Sequence, residues 1–278
     1  MKKNKLRRNI FIISVFVFLY LPIFILVIYS FNASKMNIVF THFTFKWYKE
    51  LLSNTTLIEA FRNTIIIAVT STVISTILGT ISAVGLNKYD FKGKNFINSL
   101  IYIPIVIPEI VLGISLLSVY TLFHLELGIT SIIIAHITFS IPYVITSVRS
   151  TLNALSKDIE EASYDLGANK WNTFRYVTLP LIMPGVISGA TLAFTLSMDD
   201  VVISYFTAGP GSNTLPLNIY SMIKTGITPD VNALSTLMLL VVVIVLTSSA
   251  VIQSRRIQKR ELLRWKRNYY YYLQFFFY

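Results

Sequence analysis

Six long apolar runs, separated by shorter polar stretches, limit what this chain can fold into more than any other feature. They cover residues 10–31, 63–86, 98–123, 127–148, 184–208 and 234–252. Each can cross a hydrocarbon core of about 30 Å, which takes about 20 helical residues at 1.5 Å rise. Only 13% of the residues are charged, against about a quarter in a soluble domain. The expected fold class is therefore all-α, a polytopic membrane protein with six transmembrane helices. A basic stretch precedes the first run, as in a signal peptide, but its apolar part is longer than an h-region of about 7–15 residues. It is read as a retained first helix.

The net charge is +11, from 24 Lys and Arg against 13 Asp and Glu. In a soluble protein that excess would point to nucleic acid. Here it flanks the apolar runs. With the N-terminus in the cytoplasm, 19 of the 24 basic residues fall on the inner side, and Lys35, Lys46, Lys49, Arg62 and Lys224 fall outside. The positive-inside rule thus places both termini in the cytoplasm and excludes a nucleic-acid partner. The expected organisation is a basic N-terminus (1–9), a six-helix domain (10–260) with a cytoplasmic loop (151–183), and a tail (261–278). The tail's end is nearly all aromatic and is assigned no function. There is no cysteine, and His42, His124 and His136 have no metal-ligand spacing, so neither a disulfide nor a metal is expected.

Prolines interrupt the runs at Pro104, Pro108 and Pro142, and Pro184 opens the fifth. For Pro104 and Pro142, an ordinary kink and a functional break stand level. Pro108 is read as functional because the acid Glu109 follows it. Glu109, Asp199 and Asp200 fall roughly 16–22 Å into their runs at 1.5 Å per residue. A charge at that depth costs at least ~2.5–3.5 kcal/mol on insertion scales and faces a cavity or a partner. No neighbour in sequence pairs these acids, so they suggest a path for a cation, with the Ser197 hydroxyl half a turn away. A frayed outer helix end would also account for Asp199 and Asp200. Trp47, in the amphipathic outer segment 32–62, suits either a cation's approach or an interfacial belt.

The loop from Ser156 to Pro180 reads as helix, glycine, helix, proline. Ser156 suits an N-cap, and Asp158, Glu160 and Glu161 suit the first turns. Gly167 suits a helix end, and Trp171, Phe174 and Val177 form one apolar stripe that Pro180 terminates. A helix pair too small to bury its own stripe needs a partner, although lying on lipid would also cover it. The pattern Glu161-Ala162-Ser163, then Gly167, then Val177-Thr178-Leu179-Pro180 resembles the EAA motif of ABC-importer permeases, departing only at Ser163 and Val177. That resemblance implies a type I importer (MetI-like) transmembrane domain in a bacterial plasma (inner) membrane. It makes Glu161, Ala162, Gly167, Leu179 and Pro180 the positions that couple to a separate ATPase.

The segment beginning Ser197-Met198-Asp199-Asp200, together with Phe45-Lys46-Trp47-Tyr48 and Pro104 to Gly113, is similar to the permeases of spermidine/putrescine importers. What this implies is transport of polyamines by a heteromeric machine: this chain, a sister permease, an ATPase dimer and an extracytoplasmic polyamine-binding protein, in contact with lipid. The sequence has no GxxxxGK[ST] phosphate loop. ATP is therefore expected on the partner, and this chain is expected to be no enzyme and to hold no cofactor. Three other readings compete: the same machine with another cationic or metal cargo, an ion-coupled secondary transporter, and a membrane enzyme. The transporter leaves the cytoplasmic loop unexplained. The enzyme lacks a nucleophile–base or metal constellation.

Overall fold

A computed structural model describes residues 2–34, 39–156, 158–225, 229–240, 243–244 and 247. Among these the chain is helical apart from loops and one isolated antiparallel bridge, Asn32 to Phe43. Four helices are long and apolar enough to span a membrane, or five if one bent pair counts as a single span. The sixth expected span falls in part, and the 261–278 tail entirely, outside the described residues.

The chain divides into two compact units, 1–53 with 227–278 and 54–226. In the first, helix α1 (Lys2–Tyr29) has an apolar stretch with none of its residues buried. A water-facing helix could not remain so bare. Asn32 then organises the turn that follows. Its Nδ2 donates to the Val39 carbonyl at 2.8 Å, and its Oδ1 accepts from Thr41 N at 2.9 Å. Its own carbonyl accepts the indole N–H of Trp47 from the short α2 (Lys46–Leu51). Phe31, Phe43, Phe45 and Tyr48 stack around this knot at ring separations of 5.0–6.1 Å.

The second unit is built on α3 (Thr55–Lys88), α6 (Ile129–Asn153) and α9 (Leu179–Asp199). Their core includes Ala83, Val144, Ile145, Val148, Ile182 and Ala193. Lipid tails are as apolar as leucine, so close backbone approach has to come from small residues. Gly79 supplies it: a Cβ there would lie 2.7 Å from Val144 on α6. Helix α3 begins at Thr55, eight residues before its apolar run, because the Asn54 side chain caps it by accepting from Leu57 N at 3.2 Å. The segment after residue 208 also holds a helix, α11 (Leu215–Thr225), pinned to α3 by Leu215 N donating to Thr64 Oγ1 at 2.8 Å.

Two expected spans are broken. The run 98–123 forms α4 (Lys94–Val106) and α5 (Glu109–Leu122), bent by 112°. Pro108 cannot donate to a helical ladder and holds Ile107 extended, at ψ 136°. The run 184–208 forms α9 and α10 (Val202–Thr207), separated at Asp200 and Val201. Pro184 does not open α9 but lies inside it. Pro180 does not terminate the loop's second helix either. α8 (Lys170–Thr173) passes through a π turn at Phe174–Thr178 directly into α9, with Pro180 in the first turn of α9. There its missing N–H costs little, since the ladder bonds one residue further back through the π turn, Leu179 N to Phe174 O.

Candidate functional site: an acid-lined cavity and an outward-facing loop

The breaks in those two runs put their acids in one place. Pro108 is the N-cap of α5, which makes Glu109 its first helical residue, where the helix dipole favours an acid. Asp199 ends α9, and Asp200 occupies the gap before α10. All three line a cavity of about 290 Å³, with Phe139, Tyr143 and Pro104 among its other walls. Glu109 and Asp199 are exposed.

Asp200 differs from them. It is buried and caps α10, its carboxylate accepting from Ile203 N at 3.2 Å and Ser204 N at 2.7 Å. It also meets His136 Nε2 at 3.3 Å. The three acids are therefore not equally unpaired, as their sequence neighbours suggest: the partners of Asp200 come from α6 and α10. His136 Nδ1 lies 2.6 Å from Ser197 Oγ, which lies 3.2 Å from Ser71 Oγ on α3. The carboxylate only accepts, so Nε2 carries a hydrogen toward it, and Nδ1 and the two serine hydroxyls continue the chain to α3. Ser197 thus stands behind the cavity in a buried network rather than on its wall.

Trp47 belongs to the other unit. It is 3% exposed, with its indole N–H committed to Asn32. Sequence reasoning overlooked His136, Phe139 and Tyr143. The available signal was a histidine within a span that contains no Lys or Arg.

The loop folds as its residues suggest. α7 (Asp158–Asp165) starts after Ser156, whose hydroxyl accepts from Asp158 N at 3.3 Å. It ends on Gly167 at φ +84°, with Gly167 N bonded to Tyr164 O and Ala168 N to Ser163 O. This is the paired closure that needs a left-handed residue, and a side chain there would meet no atom within 4 Å. The requirement at Gly167 is thus conformational, not spatial. Ser163 Oγ and Thr173 Oγ1, 2.8 Å apart, clip α7 to α8. Glu161, Ala162, Gly167 and Pro180 face outward, while Leu179 packs against the α3–α6–α9 core. Leu166 is 89%, Trp171 64% and Tyr176 68% exposed, a knobbed apolar surface on the loop.

The Glu160 carboxylate bonds Lys88 Nζ at 2.8 Å and Thr178 Oγ1 at 2.5 Å. Burial opposes its charge, but these hydrogen bonds and the Lys88 charge outweigh it and hold the carboxyl below the usual range.

A helical bundle with an acid-lined cavity and an outward-facing helix–glycine–helix loop suits an ABC-importer transmembrane subunit. Residues 75–261 match the family described as binding-protein-dependent transport system inner membrane component, and the chain belongs to it. It is a multi-pass membrane protein. It is 42% identical to the spermidine/putrescine transport system permease protein PotC of Escherichia coli K12, over 85% of this chain and 89% of that one. It is also 42% identical to the putrescine transport system permease protein PotI of the same strain, over 84% and 85%. In fold it is similar to a subunit in the crystal structure of a bacterial ABC transporter that imports the acidic polysaccharide alginate. That likeness has a TM-score of 0.67 at 15% identity and covers 91% of this chain and 96% of that one.

Proposed function

We propose that this chain is the membrane subunit through which an ATP-driven importer carries polyamines into the cytoplasm. The observation that carries the proposal is the gathering of Glu109, Asp199 and Asp200 with Phe139 and Tyr143 around one cavity. Polyamines are flexible multi-cations: spaced carboxylates attract their ammonium groups, and aromatic faces attract them further. The two E. coli relatives carry spermidine/putrescine and putrescine in their names and are equally similar to this chain. That supports the polyamine class and leaves the choice within it open.

In this reading ATP binds a separate ATPase subunit, which docks on the loop through Glu161, Ala162, Gly167, Leu179 and Pro180. This chain contributes no ATP site of its own. An extracytoplasmic binding protein delivers the cargo, and a sister permease completes the path. Both termini lie in the cytoplasm, consistent with the basic residues at each end. The domain boundaries 1–9, 10–260 and 261–278 follow that topology.

The test is uptake of labelled spermidine and putrescine into proteoliposomes holding the full complex, with ATP supplied on the loop side. ATP-dependent uptake of at least one of them supports the reading. Uptake of neither, with ATP hydrolysis intact, contradicts it.

A further inference from the structure

We propose that Lys88, Glu160 and Thr178 form a strut that transmits movement of the coupling loop to the acid-lined cavity. The inference rests on the reading of that loop as the ATPase socket. Eight-residue α7 is too short to hold itself as a helix, so its contacts set its position. Glu160 supplies two of them at once. Lys88, at 2.8 Å, is the last residue of α3. Thr178 is the last residue of the π turn that runs straight into α9. One carboxylate therefore grips the loop ends of two long helices. Tyr164, one turn further along α7, lines the same cavity as Lys88.

The far parts of those two helices meet again. α3 carries Ser71 and α9 carries Ser197, joined at 3.2 Å and linked through His136 to Asp200. α9 itself runs from Leu179 to Asp199, a rigid rod of about 30 Å at 1.5 Å per residue. A displacement of α7 thus reaches both helices through a single side chain; α9 ends at the acids of the cavity, and α3 meets the network behind them at Ser71. Glu161, the next residue, faces outward toward the proposed ATPase. Adjacent acids thereby take separate tasks, Glu161 engaging the partner and Glu160 engaging the spans. The strut lines a cavity of about 310 Å³ between α7 and the ends of α3, α6 and α9, which gives α7 room to move.

Charge reversal tests the strut in the complete complex. Lys88→Glu and Glu160→Lys should each leave the ATPase subunit co-purifying, while ATP-driven uptake of labelled spermidine falls by about 10-fold. The swap, Lys88→Glu with Glu160→Lys, should restore uptake to within about threefold of the unmodified complex, because it rebuilds the ion pair and the Thr178 hydroxyl can accept from a lysine as readily as it donates to a carboxylate. Unchanged uptake in both single variants overturns the strut, and so does a swap no better than the worse single. If a single reversal fails to insert, the swap alone decides by the same measure. Loss of the ATPase subunit from the unmodified complex would instead sink the socket reading, and the strut with it.

Discussion

Gly167 and Glu160 show how single side chains set the loop. At Gly167 the backbone is left-handed and the space beside it is empty. An L side chain there costs about 1–2 kcal/mol for conformation, less for Asn, which tolerates this region. Uptake should therefore fall in the order Gly, Gly167→Asn, Gly167→Val, with membrane insertion unchanged in all three. Equal losses for Asn and Val would mean that the side chain obstructs the partner instead. At Glu160 the sign of the pH dependence is fixed by the lowered carboxyl. Its contribution to stability is complete above the ordinary glutamate range and is lost as pH falls through the lowered native value. The difference in thermal stability between the unmodified protein and Glu160→Gln should thus stay flat near neutrality and shrink on acidification. Asp200 and Asp199 should also separate. Asp200→Asn keeps one acceptor oxygen but puts an amide donor where Ser204 N and His136 need an acceptor, so it should lower the yield of folded protein, whereas Asp199→Asn should insert normally and lose transport.

Among the elements, the broken runs matter most. Pro108 turns a single apolar stretch into two helices at 112° and puts Glu109 at a helix start. Pro108→Ala restores a backbone donor and permits a straighter α4–α5. Uptake should drop by about 10-fold while the subunit still assembles, a loss equivalent to about 1.4 kcal/mol. Gly79 works by closeness rather than conformation. Gly79→Val would press on Val144, and overpacking of this kind costs about 1–3 kcal/mol, measurable as a lower melting temperature in detergent. The apolar runs, the acids and the loop's cap and glycine were legible in the sequence because each depends on local spacing. The helix start at Asn54, the π turn before Pro180 and the break at Asp200 were not. Hydropathy marks only the apolar part of a helix. A cap, an extra ladder residue or a carboxylate bonded to two backbone amides leaves no hydropathy signal.

For the molecule as a whole, the pattern predicted the membrane permease of an importer, and family membership agrees. What sequence could not supply was the partnering of distant side chains. Ser71 lies 126 residues from Ser197, and Lys88 reaches Glu160 only after α3, α6 and α7 have assembled. These contacts separate the acids by task. Asp200 belongs to the frame, while Glu109 and Asp199 stand free on the cavity wall. The central claim, that this wall carries a polycation, is tested most directly by neutralising its two exposed acids together. Glu109→Gln with Asp199→Asn should lower ATP-driven spermidine uptake by at least about 10-fold while the ATPase and binding protein still assemble. Uptake equal to that of the unmodified complex would contradict the account.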